Sequence, residues 1–89
     1  MKAVITVIGK DTVGILAEVS KECAKNNINI IEVTQSVLQD LFAMIMLVDI
    51  SRSDIPLKQL SDNLTALGEK MNLKILTMHE DIFNSMHKI

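Results

Sequence analysis

Aromatic residues are nearly missing from this chain: two phenylalanines, with no tyrosine or tryptophan, make up 2% of its 89 residues. A basic surplus is missing too, since nine Lys plus Arg against eleven Asp plus Glu give 9 − 11 = −2. Nucleic-acid surfaces need cationic excess for phosphates or aromatic platforms for bases, so these two shortages argue against a direct nucleic-acid partner. There is one cysteine, Cys23, which excludes a disulfide framework within one chain, and no Cys/His cluster has zinc spacing. Long hydrophobic runs are missing as well. The run Ala3 to Ile8 is broken by Gly9-Lys10-Asp11, too early for a signal-peptide core or a membrane span. A cytoplasmic location without membrane contact is the expectation. No tract rich in Gly, Ser or Pro divides the chain, which carries three glycines and one proline. A single domain over residues 1–89 is expected, with a core at about 3–79 and a tail at 80–89.

What the chain does have is aliphatic residues, with 48% of positions apolar. Lys2 to Ile8, rich in Val, Ile and Thr and stopped by a glycine, reads as a strand. Val13 to Lys25 reads as a helix, with Leu16, Val19, Cys23 and Ala24 at helical spacing and Asp11 or Thr12 as its cap. Asn26-Asn27 ends it, because asparagine tolerates left-handed geometry. Strands follow at 28–38 and 41–50 around a tight Gln39-Asp40 turn. The clearest helix comes next, with Leu57, Leu60, Leu64, Leu67 and Met71 on one face, Pro56 in its first turn and Asn72 at its close. Leu73 to His79 makes a fourth strand, and Ile82, Phe83, Met86 and Ile89 form a short amphipathic tail.

Strand-helix-strand twice over is an α+β chain of ferredoxin-like βαββαβ layout, a four-stranded antiparallel sheet with both helices on one face. The third strand is apolar on both sides. Phe42, Met44, Met46 and Val48 point one way, and Ala43, Ile45 and Leu47 point the other. Two helices cover only one side, and a bare apolar sheet would be a large patch for a monomer. A homodimer is therefore expected, with Phe42, Met44, Met46 and the tail's Phe83 at its interface.

The layout hosts many activities, so individual residues must discriminate among them. An acyl-phosphate hydrolase needs an arginine in the first loop, and the sole arginine is Arg52, far along the chain. A metallochaperone needs Cys-x-x-Cys there, and an RNA-binding sheet needs aromatics on the first strand. Neither is present. Cys23, on the apolar side of its helix, reads as a core thiol. His79, Glu80 and His87 have no fixed metal-ligand spacing. No catalysis, cofactor or metal is expected.

The first loop, Gly9-Lys10-Asp11-Thr12-Val13-Gly14-Ile15, remains. A helix amino terminus offers unpaired N–H groups to a carboxylate, and Asp11 beside it would suit an ammonium group. The same residues also make a capped helix whose glycine permits close packing on the sheet, and spacing leaves both readings open.

Gly9 to Ala17 resembles the first-loop signature of ACT domains, a strand ending in Asp-x-x-Gly before an aliphatic helix face. Asn27-Ile28-Asn29-Ile30 is similar to that family's approach to the second strand. The resemblance covers residues 3–79 and is closest to stand-alone members, including the group similar to the glycine cleavage system transcriptional repressor. It implies an amino acid or similar small metabolite bound at a subunit interface. Asp11, the backbone of Thr12, Val13, Gly14 and Ile15, and Asn29 would contact it. Val13 stands where many members carry proline. With no catalytic domain in these residues, the implied output is a regulated protein partner. The alternative is a dimerisation and docking module that binds no ligand.

Overall fold

The computed structural model describes residues 1–10 and 13–86. Along the chain lie β1 (Lys2–Lys10), α1 (Ile15–Lys25), β2 (Asn29–Leu38), β3 (Leu41–Asp49), α2 (Leu57–Met71), β4 (Leu73–His79) and α3 (Glu80–Met86). The sheet order is β2-β3-β1-β4, with every neighbouring pair antiparallel. This is the ferredoxin-like arrangement.

Strand alternation decides what is buried. Ala3, Ile5 and Val7 of β1, Phe42, Met44, Met46 and Val48 of β3, and Leu73 and Ile75 of β4 share one side of the pleat. They form a single core with Ile15, Val19 and Cys23 of α1 and Leu60 and Leu64 of α2. The apolar stripe of α2 is as the periodicity requires, with Leu57, Leu67 and Met71 partly buried at its margins. On α1 the buried set is Ile15, Val19 and Cys23, a spacing of four, while Leu16 and Ala24 face outward. That helix begins at Ile15, two residues later than expected, because Gly14 is the residue that turns the chain.

The helices end on asparagine. Asn27 has φ 61° after α1 and Asn72 has φ 59° after α2, left-handed values that asparagine accepts more readily than most residues. Asn26 is a buried polar residue whose Nδ2 donates to the Glu22 carbonyl at 2.8 Å and to Glu22 Oε2 at 2.7 Å. Asn63 Nδ2 of α2 donates to the same carboxylate oxygen at 3.0 Å, which ties the two helices together. Gly68 lets α2 settle on β4: a Cβ there would stand 2.6 Å from the Leu73 carbonyl oxygen.

One expectation is corrected here. Phe42, Met44 and Met46 do not form a surface between subunits; they are 6%, 0% and 0% exposed inside one chain. Both sides of β3 are apolar, and the side that the two long helices cover is the one carrying Phe42. The opposite, outer side presents Ile8, Ile45 and Leu76, each about two-fifths exposed. Phe83 of α3 lies over that outer side, sharing a small cleft with Val4, Ile45 and Leu47, and Val4 is buried beneath it.

Candidate functional site

The expected site divides between two ends of the sheet. β1 runs from Lys2, paired with Asp49, to Lys10, paired with Leu41. Asn29 opens β2 opposite Asp49, at the Lys2 end. The first loop leaves from Lys10, eight strand steps away (10 − 2), or roughly 26 Å at about 3.3 Å per residue. Within one chain, Asn29 and the first loop cannot touch one small ligand.

At the loop end, Asp11 and Thr12 lie outside the described residues, and so does the expectation that either caps α1. Val13 is fully exposed. Gly14 is the N-cap at φ 89°, a left-handed conformation that disfavours any side chain. Among the described residues a Cβ on Gly14 would meet nothing within 4 Å, so close packing on the sheet does not account for this glycine. Ile15 sends its side chain into the core while its backbone opens the helix. Having no side chain, the cap residue leaves the first-turn N–H groups of α1 without a capping oxygen of its own.

At the Asn29 end, the structure gathers residues that sequence reasoning did not connect. Asn27, Asn29, Asp49, Ser51 and Arg52 surround an open cleft of about 530 Å³, floored by Ala24 and Ile28. Asp49 Oδ1 accepts the Ser51 backbone N–H at 2.9 Å. Hydrogen bonding from Ser51, its side chain first and its backbone second, holds the carboxyl below its ordinary pKa. The amine of Met1 donates to Ser51 Oγ at 2.8 Å and stands 3.9 Å from Asp49 Oδ1. Separations of about twenty residues hid this grouping; its one visible signal was that Arg52 is the only arginine.

The other singled-out groups have ordinary settings. Cys23 is buried in the core, and burial first, then the nearby Glu22 charge, pushes its thiol up to about 11. His79 Nδ1 accepts the Asp81 N–H at 3.1 Å, and His87 lies outside the described residues. Among the described residues no helix is long and apolar enough to cross a membrane.

The four-stranded ferredoxin-like sheet and the glycine-turned loop before α1 define the fold class. The ACT domain family model matches residues 2–78, and the chain belongs to that family, whose members are regulatory, small-molecule-binding domains. It is similar to the UPF0237 protein of Methanococcus maripaludis, 48% identical over 86 residues, covering 97% of this chain and 96% of that protein. It is also similar to the UPF0237 protein of Listeria innocua, 46% identical over the full length of both. Among solved structures, an ACT domain protein from Streptococcus pneumoniae superposes with a TM-score of 0.81 at 38% identity, covering 93% of each chain. A protein assigned as a glycine cleavage system transcriptional repressor matches with a TM-score of 0.74 at 29% identity. That match covers 85% of this chain and 43% of that one.

Proposed function

We propose that this chain is a non-catalytic, cytoplasmic sensor of an amino acid or similar metabolite, working as a homodimer that regulates a partner protein. The observation that carries the reading is the separation of the two segments that the family resemblance assigns to the ligand. The first loop, whose Asp11, Thr12, Val13, Gly14 and Ile15 would contact the ligand, leaves β1 at Lys10, the opposite end of the sheet from Asn29. A single ligand touching both must therefore bridge two subunits.

β2 supports such an assembly. It is the sheet's edge, ten residues long, exposed along nearly its whole length, and Glu32 is its only charge. Edge strands without charges, prolines or cover tend to pair with another chain. Two copies of β2 running antiparallel would set the Asn29 end of one against the Leu38 end of the other. Each Asn29 then approaches the neighbour's first-loop end. A ligand held there would bind the dimer more tightly than the separate chains and so shift what the dimer presents to a partner.

Thermal-shift screening of the proteinogenic amino acids, followed by calorimetry on any hit, tests this, since a ligand preferring the native dimer raises its apparent stability. Asp11→Ala and Asn29→Ala should each weaken binding at least tenfold. A screen with no hit, together with both variants behaving as wild type in cells, would remove the sensor reading.

A second reading, an interaction module without ligand, is favoured by one observation: the outer face keeps Ile8, Ile45 and Leu76 partly exposed beside α3. It predicts that substitutions at Ile45 or Phe83 abolish function in cells while Asp11→Ala does not.

A further inference from the structure

The cleft at the Asn29 end contains two opposite charges that do not neutralise each other. Arg52 and Asp49 both line it, yet among the described residues no carboxylate lies within 4.0 Å of the Arg52 guanidinium. The turn bearing Arg52 is nevertheless held firmly. Its carbonyl accepts Asn27 Nδ2 at 3.0 Å, and the Asp54 N–H donates to the Asn26 carbonyl at 3.0 Å. The Ser53 N–H donates to the Ile50 carbonyl at 3.1 Å. All of these bonds use the backbone of the turn and leave the guanidinium uncommitted. Asp49 accepts the Ser51 N–H at Oδ1 and has the Met1 ammonium 3.9 Å from that oxygen, so a ligand ammonium would share or displace this exposed ion pair. Unlike charges held apart on a fixed frame cost little to reorganise when a ligand joins them.

We propose that this cleft binds the head group of an α-amino acid, with the Arg52 guanidinium on its carboxylate and the Asp49 carboxylate on its ammonium. A guanidinium presents paired N–H donors that fit both carboxylate oxygens, which a lysine ammonium cannot do. The Asn29 amide, exposed at the rim, can donate to the carboxylate or accept from the ammonium. Ala24 and Ile28 provide the apolar floor for a short aliphatic side chain. Asp49 disfavours a plain anion such as phosphate, and Arg52 disfavours a plain amine. The inference deepens the sensor reading and rests on it, because the cleft supplies the Asn29 half of that site with residues of one subunit.

The test is a two-dimensional NMR titration of the full-length, isotope-labelled protein with L-alanine and L-valine, and with acetate and methylammonium as half-ligands. Saturable shifts at the Asn27, Asn29, Ser51 and Arg52 amides are expected, with each half-ligand at least tenfold weaker. Arg52→Gln and Asp49→Asn should each weaken the amino acids at least tenfold at an unchanged melting temperature. Arg52→Lys, which keeps the charge and loses the fork, should fall in between. Saturable shifts confined to residues 13–16, unaffected by Arg52→Gln, would overturn the cleft and leave the sensor standing. Saturable cleft binding that ignores both Asp11→Ala and dissociation of the dimer would uphold the cleft and remove the bridge between subunits. No saturable shift with either amino acid would overturn the cleft assignment; the wider screen then decides the sensor alone.

Discussion

Strand β3 carries Phe42, Met44, Met46 and Val48 on one side and Ala43, Ile45 and Leu47 on the other, all apolar. The first set is at most 6% exposed, whereas Ile45 keeps 43% of its surface in contact with solvent. Composition does not separate the two sides; chain connection does. The long helices α1 and α2 both pack on the Phe42 side, so that side becomes the core. Among the described residues the outer side receives only α3, whose Phe83 covers the neighbourhood of Val4. One face of the sheet is thus finished by a single chain, and the other is left partly open.

The sharpest way to test that contrast is to truncate neighbours on the same strand. Met46→Ala removes a wholly buried side chain and should cost about 2–5 kcal/mol, measured by urea unfolding. Ile45→Ala, one residue away on the outer face, should cost under about 1 kcal/mol. Equal losses would mean that the outer face is as completely covered as the core.

A smaller effect separates the two glycines. Gly68→Ala would place a Cβ 2.6 Å from the Leu73 carbonyl oxygen, a backbone atom that cannot swing aside. The helix-propensity gain of roughly 0.5–1 kcal/mol should be outweighed by overpacking of about 1–3 kcal/mol, so unfolding should shift to lower urea. Gly14→Ala meets no described residue within 4 Å and should cost its left-handed backbone conformation, about 1–2 kcal/mol. A loss of amino-acid affinity at Gly14→Ala beyond that change in stability would mark the loop as a binding surface.

These contrasts also show how far the sequence could be read. Element order, the stripe of α2 and the asparagine closures were legible because each rests on local periodicity or a residue's own backbone preference. The buried side of β3 was not, because a strand apolar on both faces has no parity signal. Only the packing of α1 and α2 chooses. The first loop was recognisable as a motif, yet Asn29 proved to lie at the far end of the sheet, a distance that only strand register reveals. Arg52 and Asp49 went unconnected because neither belongs to a local pattern. The turn after β3 brings them to one cleft.

Cys23 tests the finished side by chemistry. With its thiol raised to about 11 from an ordinary 9.0, the native protein at pH 8 holds about a hundredfold less thiolate than the unfolded chain. Modification by a thiol reagent should be slower by at least that factor until urea is added. The folded pKa is the raised one, so the thiol's contribution to stability is complete below about pH 9. It is lost as the pH rises toward about 11. Rapid native labelling at pH 8 would show that the core opens at α1.

The smallest expected change in stability concerns the surfaces that a second chain would use. Val33 sits near the middle of β2, between Asn29 and Leu38, and is 36% exposed. In an antiparallel β2 pair, the middle of each strand lies near the two-fold axis, so Val33→Lys would bring like charges close together. Its cost within one chain should stay within about 0.5 kcal/mol, as for most surface substitutions. Light scattering should nevertheless fall from twice 9.9 kDa toward 9.9 kDa, with amino-acid binding lost alongside. Ile45→Lys places the same charge on the open outer face and should leave the dimer mass intact. The reverse outcome, in which Ile45→Lys dissociates the dimer and Val33→Lys does not, would move the subunit contact from the edge to the outer face. The first loop and Asn29 would then lose the geometry that lets one ligand join them, leaving the docking module as the better description.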